Sequence, residues 1–156
     1  MIEEPAPVSL VSPALTKRKR TDWIVVHCSA SVPDINTDVK VIDRWHRQRG
    51  FVMIGYHFVI KTDGTIQHGR PDDTIGAHVE GYNSFSLGIC MVGGVDKANK
   101  SVNNFSNDQW VSLGLLLREQ KEKYPKAAIQ GHRDFPNVHK DCPCFDVKGW
   151  VQLQGI

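Results

Sequence analysis

Apolar residues gather in short runs, each closed by glycine, proline or small polar residues. "DWIVVHCSA", residues 22–30, is short, β-branched and ended by small polar residues, which predicts a buried strand. In "TDVKVIDRWHRQRG", Val39, Ile42 and Trp45 recur at helical spacing and Gly50 supplies a stop. "GYHFVIKTDGTIQHGR" predicts a hairpin: Tyr56 to Lys61 alternates, Asp63-Gly64 turns, and Thr65 to His68 returns. "SLGICMVGG" predicts a second buried strand, punctuated by Gly93 and Gly94.

The strongest helical signal is "FSNDQWVSLGLLLREQKEKYP". Ser106 with Gln109 forms a capping box, and Phe105 with Trp110 a hydrophobic staple. Trp110, Leu113, Leu116 and Leu117 share one apolar face, and Pro125 stops the helix. "AAIQGH" predicts a short strand ending at His132, and Phe145 opens a short C-terminal helix. Strands and helices alternate in mixed order. The expectation is an α/β fold, one domain with a central mixed sheet flanked by helices.

Length agrees, since 156 residues suit one domain with a core of its own. Residues 1–20 carry scattered prolines and no sustained period, and are expected to form a flexible extension ahead of a domain at 21–156. The chain has 19 basic and 17 acidic residues. Lys17, Arg18, Lys19, Arg20, Glu3 and Glu4 fall in that first segment, so residues 21–156 balance at zero. A neutral body lacks the broad basic face of a nucleic-acid reader. No run approaches membrane-spanning length, and residues 1–20 do not read as a secretory signal. A cytoplasmic chain with free thiols at Cys28, Cys90, Cys142 and Cys144 is expected.

Candidate chemistry concentrates in "HRDFPNVHKDCPCFD", residues 132–146. His27 ends the first strand, His132 ends the last, and Cys142 follows in a loop long enough to fold back. Three such N/S donors make a zinc site if they converge. Spacing alone leaves open whether they are ligands of one metal or unrelated strand-end and loop residues, because neither HExxH nor paired CxxC motifs occur. His46 and Cys90 read as packing residues. Tyr56 and His57 point to opposite faces, as do His27 and Cys28. His78 lies in a glycine-rich connection, where binding residues often sit.

Six segments in order, "VVHCSA", "IDRWHRQRGF", "IGYHFVIKTDGTIQHGRP", "GAHVEGYNSFSLGICMVGG", "GHRDFP" and "KDCPCFD", resemble the zinc-dependent type 2 N-acetylmuramoyl-L-alanine amidases, which include the peptidoglycan recognition proteins. The likeness runs from about Thr21 to Trp150 and is strongest to short phage lysozymes of the amidase kind. It implies one Zn2+ held by His27, His132 and Cys142, with Tyr56 and Lys140 as catalytic side chains. It also implies that His78 and Asn83 lie near bound substrate. Cys144 stands where the family carries a small glycine or serine. The implied substrate is bacterial peptidoglycan, cut between N-acetylmuramic acid and L-alanine by a phage or prophage endolysin. Such an enzyme would wait as a monomer in the host cytoplasm, without inserting in a membrane, and act on the wall at lysis. Inhibition of a phage RNA polymerase is a further role that the likeness to short phage lysozymes implies. Rival readings are a peptidoglycan-binding protein that does not cut and a purely structural zinc.

Overall fold

The computed structural model describes residues 3–5, 10 and 13–156. Among the described residues, six strands form one mixed sheet: β1 (Glu3–Glu4), β2 (Trp23–Cys28), β3 (Phe58–Ile60), β4 (Ile66–His68), β5 (Ser86–Met91) and β6 (Ala128–Gly131), in the order β1-β4-β3-β5-β2-β6. β5, β2 and β6 run parallel, β3 joins β5 in parallel, and β3 and β4 form the antiparallel hairpin. The helices α1 (Val39–Gln48), α2 (Asn107–Lys123) and α3 (Val147–Gln154) complete the α/β fold.

Alternation along β2 sorts its side chains between two faces. Ile24, Val26 and Cys28 join Leu87, Ile89 and Met91 against Leu113, Leu116 and Leu117 of α2 and Val147 of α3. On the opposite face, Val59, Cys90 and Val92 pack against Val39 and Ile42 of α1. His27 belongs to this second face. The sheet thus separates an α2/α3 layer from a layer made by α1 and the long connections.

The local signals act as their chemistry requires. The Ser106 hydroxyl accepts from the Gln109 N–H at 3.2 Å, and the Gln109 carbonyl oxygen accepts from the Ser106 N–H at 2.9 Å. The Gln109 amide then donates to the Ile60 and Val92 carbonyls, tying α2 to the ends of β3 and β5. Phe105 and Trp110 meet at 5.7 Å between ring centroids. Gly64 takes a φ of +86° in the hairpin turn, where Asp63 accepts from the Thr65 N–H.

The segment expected as a flexible extension touches the domain at several of its described residues. Glu3–Glu4 pairs with β4, Leu10 is buried beside Ile42's cluster, and Arg18 donates to the Thr74 carbonyl. Residues 1, 2, 6–9, 11 and 12 lie outside the described residues. Among the described residues, no helix is long and apolar enough to cross a membrane.

Candidate active site

Parallel pairing creates the site. Val26 of β2 is in register with Gly131 of β6, so the next residues, His27 and His132, emerge side by side at the carboxyl ends of adjacent strands. Their rings lie 4.6 Å apart. Such strand ends are the usual place for ligands in α/β sheets. The chain then turns through a short 3-10 segment, His132–Asp134, where Asp134 accepts from the Gly131 N–H. The loop beyond folds back, and the Arg133 N–H donates to the Cys142 carbonyl. Phe145 anchors its far end in the core, 4.7 Å from Trp110.

This return brings Cys142 to the two histidines. One donor atom from each of His27, His132 and Cys142 falls within 4.8 Å of the others. Among the described residues, no other cluster of His, Cys, Asp or Glu donors converges in this way. Burial, aided by the neighbouring His78 and His132, pushes His27 well below the ordinary imidazole value. Burial and then the Lys140 charge lower His132. Both rings are therefore neutral at pH 7, with a lone pair to offer. Two neutral imidazoles and a thiol converging on one point fit a tetrahedral zinc ion with a fourth position to spare.

Tyr56 stands beside the triad, its ring 5.0 Å from that of His27. It precedes β3, which begins two residues later than the alternating pattern predicted. Burial raises its phenol well above the ordinary value, so it stays a hydrogen-bond donor across the neutral range. Lys140 is exposed and lines the same cleft, which has a volume of about 1270 Å³ and also takes in Trp45, Arg49, Phe51, His78 and Asn83. The size suits a polymer better than a small metabolite.

His78 and Asn83 both line the cleft, but each is already engaged. His78 Nδ1 lies 2.8 Å from His27 Nε2. The Asn83 carbonyl oxygen accepts from the backbone N–H groups of His78 and Val79, at 2.8 and 2.9 Å. Cys144 does not join the triad. Its sulfur faces Cys28, 4.0 Å away, and donates to the Gly94 carbonyl. Its φ of +72° is a left-handed conformation that glycine adopts more readily than cysteine. Sequence reasoning passed over Arg49 and Phe51 as site residues. A basic and an aromatic side chain just past the apolar stripe of α1, with no core to fill, were the available signal.

The remaining buried histidines hold the structure. His46 Nδ1 accepts from the Gly55 N–H, and His57 bridges the Gly88 N–H and the Thr74 carbonyl. Burial is the main cause lowering both, to about 4. Between about pH 6.5 and 4 the unfolded chain binds protons on these rings that the folded chain refuses. Their stabilising contribution is therefore complete above about pH 6.5 and is lost as the pH falls. For the fully buried His57 the loss is on the order of 3 kcal/mol. Urea midpoints are expected to drop steeply from about pH 7 to about pH 4.5, and His57→Gln to flatten that slope. Equal midpoints at both pH values would rule this out.

Comparison with known proteins identifies the family. The family described as N-acetylmuramoyl-L-alanine amidase (Amidase_2) matches residues 17–145. The endolysin of Enterobacteria phage K11 is 43% identical over 137 residues, covering 88% of this chain and 89% of the phage protein. The endolysin of Escherichia phage T7 is 43% identical over 134 residues, covering 86% and 87%. Among solved structures, N-acetylmuramoyl-L-alanine amidase LysC from Clostridium intestinale URNW superposes with a TM-score of 0.80 at 28% identity, covering 99% of this chain and 97% of that one.

Proposed function

The chain belongs to the N-acetylmuramoyl-L-alanine amidase family, and from that premise we propose that it is a zinc-dependent endolysin whose ligands are His27, His132 and Cys142. Amidase activity itself follows from the family. The convergence of the three donors at the ends of β2 and β6 is the observation that supports the metal. Residues 21–156 form the catalytic domain in this reading, acting as a monomer on peptidoglycan.

The reaction adds water across the amide joining N-acetylmuramic acid to L-alanine. The water oxygen bonds to the lactyl carbonyl carbon, the C–N bond breaks, and the L-alanine nitrogen leaves as an amine. A bound zinc would bring its water toward a pKa of about 7 and polarise the carbonyl. The side chains supply the rest. The Lys140 ammonium, on the cleft wall beside Cys142, donates to the oxygen that gains negative charge. Tyr56, kept protonated by burial, donates a second hydrogen bond next to His27. His78 and Asn83 shape the wall against which the substrate lies.

Mass spectrometry of purified peptidoglycan digested by the zinc-loaded protein tests this reading. Stem peptides with a free L-alanine amino terminus are expected, and none after chelation. Equal release from the chelated sample would exclude a catalytic metal. The proposed setting is the host cytoplasm until lysis, followed by action on the wall. Inhibition of a phage RNA polymerase rests on the resemblance to short phage lysozymes alone; unchanged transcript yield at excess protein would remove it.

A further inference from the structure

His78 is held more tightly than a residue of a cleft wall needs to be. Its ring lies against two glycines. A Cβ on Gly88 would stand 2.7 Å from His78 Cγ, and one on Gly76 would stand 2.7 Å from its Cδ2. Neither contact is sterically tolerable, so both glycines are needed to admit the imidazole. The backbone at His78 is fixed in turn by the Asn83 side chain.

With His78 neutral, the hydrogen bonds around the ring have one consistent direction when followed from their far end. The Tyr82 carbonyl can only accept, so the Ser86 hydroxyl spends its single proton there, at 2.9 Å. The Ser86 oxygen must then accept from His78 Nε2–H, 3.2 Å away. A neutral His78 with its proton on Nε2 offers a lone pair at Nδ1. His27 Nε2, 2.8 Å from that lone pair, must therefore carry a hydrogen and donate it. What remains on His27 is the Nδ1 lone pair, on the nitrogen that lies 4.0 Å from Cys142 Sγ.

We propose that His78 is a positioning residue: by accepting the Nε2–H of His27, with Ser86 and the Tyr82 carbonyl behind it, it fixes the tautomer and ring angle that present His27 Nδ1 to the metal. This rests on the metal-site reading above. A relay of this kind explains why two glycines and a serine are placed around a ring that the fold does not require for its core. Outer partners of metal-binding histidines commonly change metal affinity by about 10–100-fold when removed.

The test is zinc affinity, measured by competition with a chromogenic chelator. The proteins are wild type, His78→Leu, His78→Asn, Ser86→Ala and, as reference, Cys142→Ala. His78→Leu is expected to weaken zinc binding about 10–100-fold. His78→Asn, whose side-chain carbonyl branches from the same γ position, is expected to restore most of it, and Ser86→Ala to cost less than His78→Leu. A folded His78→Leu protein with wild-type zinc affinity overturns the inference. Should that variant not fold, imidazole 15N NMR of the zinc-loaded wild type decides: a hydrogen on His27 Nε2 and metal on Nδ1 support the relay, and the reverse overturns it. Wild type without zinc affinity, or Cys142→Ala binding as tightly as wild type, overturns the metal site itself. Loss in Cys142→Ala with none in His78→Leu overturns only the relay.

Discussion

Replacing Cys142 by alanine is expected to abolish amidase activity and zinc retention together while leaving the fold in place. The sulfur is one of the three donors that converge, and among the described residues no other set of His, Cys, Asp or Glu donors meets in this way. Cys144 cannot step in, because its sulfur is turned toward Cys28 and the Gly94 carbonyl. The fold survives because the loop is anchored by other groups. Phe145 stays in the core, and the bond from the Arg133 N–H uses the Cys142 backbone rather than its side chain. The lost contact with the Cys28 N–H, 3.2 Å in the wild type, leaves a buried donor without its acceptor. That costs about 1–3 kcal/mol, a lowered melting temperature rather than unfolding. Peptide release, zinc content and far-UV circular dichroism read the three outcomes separately. Cys144→Ala is the contrast, expected to keep both zinc and activity. A Cys142→Ala protein that still cuts peptidoglycan would remove the metal site from the mechanism.

The contrast between these two cysteines shows what the sequence could and could not carry. Strands, helices and caps were legible because each is a local pattern: the run at Trp23–Cys28, the Asp63-Gly64 turn, the box at Ser106 and Gln109. The site was not local. His27 and His132 become neighbours only because β6 adds to the free edge of β2 in parallel, a pairing that no spacing rule encodes. From residue spacing alone the three donors therefore stayed an open question, and ordered resemblance to a family closed the gap. The relay behind His27 was illegible for the same reason. His78 lies in a connection without period, and Ser86 opens a strand whose register had to be known first. The edge strand Glu3–Glu4 escaped notice because two residues followed by Pro5 carry no alternation to read.

Removing the Lys140 charge is expected to give the second-largest loss. Lys140→Met should lower kcat by about 10²–10³-fold, the usual effect of deleting one donor to a developing oxyanion, with KM changing far less. The reasoning is electrostatic. The carbonyl oxygen is neutral in the bound substrate and becomes charged only as the water oxygen bonds to carbon. An ammonium aimed at it therefore acts on the transition state rather than on binding. Lys140 is exposed and contributes nothing to the core, so its replacement leaves stability within about 0.5 kcal/mol. Zinc content should also stay at the wild-type level, because Lys140 offers the metal no ligand and removal of a nearby positive charge does not disfavour a cation. Tyr56→Phe isolates the other donor. Its ring is part-buried and packs beside His27, so the phenylalanine keeps the packing and loses only the hydroxyl. If Lys140→Met raised KM in proportion and left kcat unchanged, the lysine would be a substrate anchor instead. Intact kcat in both variants would leave the oxyanion with no side-chain donor from the residues assigned here, and the division of labour between Lys140 and Tyr56 would have to be abandoned.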